Sequence, residues 1–239
     1  MSRKEIILGV IPARGGSKGV RNKNIRKLGR RPLICHTISQ AQRSRMLDKI
    51  IVSTDETKIA SLARKCGAEV PFIRPRFLAR GDTPMLPVVQ HAVKSVELTE
   101  GRRVGIVVLL QPTSPLRTAA DIDAGIRKIL ASKADSVVSV CKLEYLCNPL
   151  LVKKVKGDRL SPYLRSKKVF TRRQDMTDLY RLNGALYIVR RDVIMNGQTF
   201  FGKDTRALVM DRVRSVDIDT ALDFMIAEAI IRRAGKMKL

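Results

Sequence analysis

Apolar residues recur along the chain in two periods, and the two periods alternate. Ile6–Pro12 is a short, largely β-branched apolar run, the pattern of a strand buried on both faces. Apolar Ile34, Ile38 and Ala41 then fall at helical spacing. Residues 49–54 predict a second strand, stopped at Asp55. Residues 56–66 predict a helix on Ile59, Ala60, Leu62 and Ala63, with Gly67 placed to cap its C-terminus. A short strand is expected at 70–73, a helix over 87–96 and a fully buried strand over 104–110. A helix over 118–132 has Thr118 as its cap, with Asp121 three residues on. Residues 136–140 read as another strand, and alternation resumes at 186–189. Residues 215–219 read as a short late strand, after which Asp219 or Thr220 caps a helix from Ala221 to about residue 234.

Strand–helix alternation of this kind predicts an α/β fold, a mostly parallel, Rossmann-like sheet in a three-layer αβα arrangement. The whole of 1–239 reads as one domain. From about residue 141 to 173 the periodicity breaks in a basic stretch holding Pro149 and Pro162, an excursion suited to a partner subunit or a lid. Ligands of such sheets gather at the carboxyl ends of the strands. The Gly-rich loop after Pro12, Thr54-Asp55 and Gln111-Pro112-Thr113 all leave such ends.

Composition narrows the class. With 239 residues, 44% of them hydrophobic, the chain has ample material for a core, which excludes wholesale disorder. The apolar run 104–110 is far short of the ~20 residues that span a bilayer. The run 6–13 reads as a strand rather than a signal peptide, since Glu5 precedes it and no small-residue cleavage site follows. Cys35, Cys66, Cys141 and Cys147 form no Cys-x-x-Cys pair, which argues against structural zinc and a disulfide framework and for a reducing cytoplasm. The net charge of +25 fits either a surface adapted to a particular cell interior or to high temperature, or a polyanionic partner: nucleic acid, anionic membrane or phosphorylated substrate. Ten basic and no acidic residues lie between Glu5 and Asp48. Aromatics at 4% and the absence of Trp leave few stacking platforms, so nucleic acid is not the expected partner.

Three segments carry chemistry. In the loop 13–24, Gly15, Gly16 and Gly19 permit close backbone approach to phosphate, while Arg14, Lys18, Arg21 and Lys23 supply charge for a triphosphate. The spacing is neither a Walker A loop nor G-x-G-x-x-G. Asp217 and Asp219, two apart, would share one face of a strand and hold a hard cation such as Mg²⁺ together with substrate phosphates. Gln111 offers both donor and acceptor for a base edge or sugar hydroxyls. His36 and His91 fall within helical patterns and read as packed residues; no Ser-His-Asp or Cys-His arrangement assembles.

Together these segments resemble the acylneuraminate cytidylyltransferases, the CMP-sialic acid synthetases. The resemblance rests on Ile-Pro-Ala-Arg-Gly-Gly-Ser-Lys-Gly at 11–19 with Lys23-Asn24, on 51–55, Arg74-Pro75, Gly81-Asp82-Thr83 and 110–117. It continues through Arg173-Gln174-Asp175, 183–187 and 215–220. It implies Mg²⁺-dependent transfer of CMP from CTP to the anomeric hydroxyl of a nine-carbon 2-keto-3-deoxy sugar acid, by a homodimer whose extension (141–173) reaches the neighbouring subunit. Nucleotide contacts are implied for Arg14, Gly15, Gly16, Ser17, Lys18, Asn24, Arg74 and Asp82, with Lys23 beside the triphosphate. Gln111, Tyr187, Phe200 and Phe201 match sugar-pocket positions, Arg173 an arginine lent by the partner, and Asp217 and Asp219 the metal-binding pair. A 3-deoxy-octulosonate or GTP-using transferase is the first alternative, and a nucleic-acid-binding protein on a degenerate scaffold the second.

Overall fold

The buried apolar runs meet in one sheet. A computed structural model describes residues 5–16, 20–164 and 177–236. In chain order, β1 (Ile6–Pro12) leads through a small antiparallel pair, β2 (Lys27–Leu28) and β3 (Arg31–Pro32), into α1 (Leu33–Arg43). β4 (Lys49–Ser53), α2 (Thr57–Lys65), α3 (Met85–Glu100), β5 (Val104–Leu109), α4 (Ala119–Ser132) and β6 (Ser136–Lys142) follow. An exposed hairpin, β7 (Lys153–Lys156) and β8 (Arg159–Pro162), precedes β9 (Tyr180–Arg190), α5 (Arg191–Met195), β10 (Thr205–Met210) and α6 (Ala221–Lys236).

Six strands pair in the order β10-β6-β9-β5-β1-β4. β9 runs antiparallel between β5 and β6, and the other pairings are parallel. Successive residues on the central strands face opposite layers. Ile11, Val52 and Val108 pack with α1, α2 and α4, whereas Val10, Ile51 and Val107 pack with α3 and its neighbours. This is the three-layer αβα arrangement expected from the alternation. A third, smaller core joins Phe224 and Ala227 of α6 to Leu28, Leu33 and Ile218, which fastens the segment before α6 to the β2–β3 pair.

Several predicted elements shift. Residues 70–73 form no strand; Ile73 touches the sheet edge through a single bridge to Thr54, and the preceding Glu69 through one to Ile51. Residues 215–219 are likewise not a strand: no ladder forms, and Ile218 N donates to Thr113 O at 2.8 Å instead. The edge strand β10 and short α5 were not legible, because β10 is mostly exposed and lacks a buried periodic face. Thr118 caps α4 in a reciprocal box with Asp121, and Thr220, not Asp219, accepts from Asp223 N in the matching box of α6.

The expectation against disulfides is also corrected. Cys35 in α1 and Cys66 at the C-cap of α2 are joined, with their Cα atoms 5.8 Å apart. Spacing along the chain gave no sign of this, since the two cysteines meet only when α1 and α2 pack side by side on the sheet.

Candidate active site

Register builds the site. Pro12 pairs with Ser53 and Val10 with Leu109, so β1, β4 and β5 end level and release their loops side by side. Because β9 is antiparallel, its first half comes to the same end of the sheet, with Tyr187 opposite Leu109. These loops and the segment before α6 enclose a cleft of about 360 Å³. Arg14, Lys23, Asn24, Arg74, Gln111, Thr113 and Asp219 line it.

The described ends of the glycine loop are held through backbone atoms. Gly15 N donates to Asp55 Oδ1 at 3.1 Å, and Asn24 Nδ2 donates to Arg14 O at 3.0 Å. A Cβ at Gly15 would stand 3.1 Å from Glu56 Cβ, so the close approach of loop to α2 favours glycine. Lys23 Nζ donates to Ile218 O at 2.5 Å and lies 3.3 Å from Asp219 Oδ1. One lysine therefore ties the first loop to the carboxylate segment.

Arg74 is 4% exposed, its guanidinium donating to Ser53 Oγ at 3.0 Å and to Ser53 O at 2.5 Å. Burial pushes its pKa down to about 10, with Asp55 opposing that shift and Arg14 adding to it. It is thus cationic at neutral pH, a fixed positive charge beneath the cleft. Arg117, at 1% exposed, donates to Ala185 O at 2.6 Å, Gln111 O at 3.3 Å and Thr37 Oγ1 at 3.0 Å. It locks the Gln111 loop to β9 and α1.

The two carboxylates differ in setting. The side chain of Asp219 is 76% exposed, whereas Asp217 is largely buried and its Oδ1 has no hydrogen-bond partner. Burial pushes the Asp217 pKa up; Thr113 and Lys23 oppose the shift, and the charges of Asp219 and Asp223 add to it. Gly184, at φ 72°, sits against this carboxylate: a Cβ there would lie 3.3 Å from Asp217 Oδ2. An orphaned buried oxygen beside a second, open carboxylate is a donor set that fits a hard divalent cation, which takes one or two carboxylates and fills its shell from phosphates and water.

The sequence-predicted residues separate into three groups. Arg14, Lys23, Asn24, Arg74, Gln111 and Asp219 converge on the cleft, with Asp217 at the rear of its Asp219 wall and Gly15 and Gly16 on the loop beside it. Asp82 does not line the cleft; its exposed carboxylate lies 3.8 Å from Arg80 Nε, while the adjoining Gly81 and Thr83 do line it. Tyr187, Phe200 and Phe201 form an aromatic cluster, with ring centroids 5.8 Å and 6.3 Å from Tyr187, outside the cleft lining. Ser17, Lys18 and Arg173 lie outside the described residues. His36 bonds the Leu28 carbonyl at 2.9 Å and His91 packs edge-on against Phe72, so neither enters the site. Asp55, Thr113 and Arg117 fall in segments that the sequence places at strand ends, but it assigns them no individual role; their contacts with Gly15, Ile218 and Ala185 depend on which strand ends are neighbours.

With the strand ends, the glycine loop and the paired carboxylates in place, the molecule is of the nucleotidyltransferase class. The chain belongs to the cytidylyltransferase family, whose model matches residues 8–226. It is similar to the CMP-N,N'-diacetyllegionaminic acid synthase of Campylobacter jejuni, at 36% identity over 94% of both chains. It is similar also to the post-translational flagellin modification protein B of Campylobacter coli, at 34% identity over 95% of both. The N-acylneuraminate cytidylyltransferase of Escherichia coli is 32% identical over 98% of this chain, which spans 54% of that longer protein. Among solved structures, the fold matches CMP:2-keto-3-deoxy-manno-octonic acid synthetase complexed with CTP, with a TM-score of 0.72 at 16% identity over 96% of this chain and 99% of that one.

Proposed function

We propose that this cytidylyltransferase moves CMP from CTP to the anomeric hydroxyl of a nine-carbon 2-keto-3-deoxy sugar acid, with diacetylated legionaminic acid the first acceptor to try. The observation that carries the reading is the meeting of Arg14, Lys23, Arg74 and the Asp217–Asp219 segment around one cleft in a chain of this family. Matched length with the legionaminic acid synthase supports the acceptor class.

In this reading the acceptor oxygen attacks the α-phosphorus, the bond to the β-phosphate breaks, and pyrophosphate leaves while the hydroxyl proton passes to water. Such transfers need positioning and charge neutralisation more than covalent chemistry. Arg14 and Lys23 neutralise the departing pyrophosphate, and backbone N–H groups of the glycine loop hold it. Gln111 reads the base or sugar edge through its amide. Asp217 and Asp219 would hold Mg²⁺, which when bound polarises the phosphate and acidifies the hydroxyl. We infer that a homodimer is the working form, through the exposed hairpin on which Val155 and Leu160 pair across the strands.

Asp219→Asn tests the reading. Its exposed position predicts an unchanged fold, while pyrophosphate release with CTP, acid and Mg²⁺ drops by roughly a hundredfold or more, the scale of losing a metal ligand's transition-state stabilisation. Full turnover by the folded variant would remove the metal assignment.

A further inference from the structure

Strand β9 breaks its ladder where it passes the carboxylates. Tyr187 pairs with Val138 of β6 and Leu182 with Val140, so the single residue Ser139 faces the stretch from Asn183 to Leu186. Pairing with β5 ends at Tyr187. The bulge reaches the segment before α6: a Cβ on Gly184, at φ 72°, would lie 3.3 Å from Asp217 Oδ2. Buried backbone groups that leave a ladder need other partners, and side chains supply them here. Ala185 N donates to Asn183 Oδ1 at 3.2 Å and Leu186 N to Ser139 Oγ at 2.7 Å, while Ala185 O accepts from Arg117 Nη1 at 2.6 Å.

Asn183, 1% exposed, uses only one end of its amide on this bulge. Its Oδ1 accepts from Ala185 N and, at 2.6 Å, from Ser139 Oγ. Its Nδ2 points out of the sheet and donates to Ser215 Oγ at 2.9 Å, with Met210 Sδ 3.5 Å away. Ser215 is fully buried, and its hydroxyl donates on to Asp211 O at 2.5 Å. On the other side, Ile218 N donates to Thr113 O at 2.8 Å. Asp217 therefore lies between two tethers from distant parts of the chain, and Asn183 supplies one of them. Capping the bulge alone needs only an acceptor, which aspartate or serine would provide. The outward donor is the part of Asn183 that the bulge does not require.

Resting on the metal-dependent transfer proposed above, we propose that Asn183 is a positioning residue: through Ser215 it holds the segment so that the unpartnered Asp217 Oδ1 is presented to the divalent cation shared with Asp219. Asn183 does not line the cleft, so it acts on the cation only through Asp217. Partners of this outer kind fix the aim of a ligand and thereby its affinity for the metal.

Two variants separate aim from folding. Ser215→Ala removes the acceptor of the tether and leaves every contact within the bulge in place. Asn183→Ser removes the donor, while its hydroxyl can still accept from Ala185 N. The probe is Mn²⁺, its binding to the full chain read from loss of the free-ion EPR signal well below the melting temperature. Both variants are expected to bind Mn²⁺ roughly ten- to a hundredfold more weakly than wild type, the range for losing an outer partner of a metal ligand. With CTP and N,N'-diacetyllegionaminate, the Mg²⁺ giving half-maximal rate is expected to rise in step, while KM for the acid at saturating Mg²⁺ stays within about twofold of wild type. If one variant fails to fold, the other decides. Wild-type Mn²⁺ affinity in either folded variant, even one that melts lower, overturns the positioning role and leaves Asn183 a cap of the bulge. A wild type that binds no Mn²⁺ overturns it as well. Weakened Mn²⁺ binding in the variants together with a wild type that transfers no CMP removes the transferase reading and leaves the role of Asn183 standing.

Discussion

Asp217 occupies a position that costs the fold. Its buried Oδ1 is unpartnered, and Asp219 and Asp223 both load it with like charge. Removing that charge relieves the apoprotein, so Asp217→Asn should melt higher than wild type in the absence of divalent cations. The gain should be of the order of 1 kcal/mol, the usual scale for an unsatisfied buried polar group. Added Mg²⁺ should raise the melting temperature of wild type and not of the variant. Thermal melts with chelator and with Mg²⁺ check both statements, and a variant that melts lower than wild type under chelation would contradict them. At this scale the sequence was informative: the charged loop and the paired aspartates stood out because the chain is so poor in acids. What it withheld was environment. Nothing local marks Asp217 as buried and Asp219 as open, because the difference arises from Gly184 and Thr113, which reach Asp217 from other parts of the chain.

Elements were legible in proportion to their burial. β1, β5 and α4 have the strong periodic patterns or caps that a core imposes, and their observed bounds lie close to those expected. β10 at the exposed sheet edge did not announce itself, and 215–219 was misread as a strand, because Ile218 is buried against α6 rather than within the sheet. The pairing of Cys35 with Cys66 was invisible for the same reason, being a product of helix packing. That link closes a segment containing β4, Ser53 and Asp55, which hold Arg74 and Gly15 in the site. Loop-closure entropy for a separation of 31 residues predicts about 3–4 kcal/mol of stabilisation. Treatment with a strong reductant should therefore lower the melting temperature, and Cys66→Ser should melt low with or without it. Equal melting of oxidised and reduced wild type would show that the link contributes nothing.

For the whole molecule, the charge of +25 and the architecture point to the same class of ligand. Part of the excess is placed: Arg14, Lys23 and Arg74 surround the cleft, and Lys153, Lys154, Lys156 and Arg159 lie on the exposed hairpin. A triphosphate and an acidic sugar both carry negative charge, and a positive field over the site speeds their encounter. The parallel strands end level, the antiparallel β9 brings Asn183–Gly184 to the same edge, and the segment before α6 adds Asp219 to the cleft. In the reaction proposed above, two anions meet beside Asp217 and Asp219, one donating CMP and the other accepting it. Phosphorus NMR of the enzyme with CTP, a diacetylated legionaminic acid and Mg²⁺ reads this transfer at the atoms that change bonds. The three CTP resonances are expected to give way to one phosphodiester signal and one of pyrophosphate, in equal molar amounts. Persistence of the CTP resonances, or their replacement by free CMP and pyrophosphate without a diester, would contradict it.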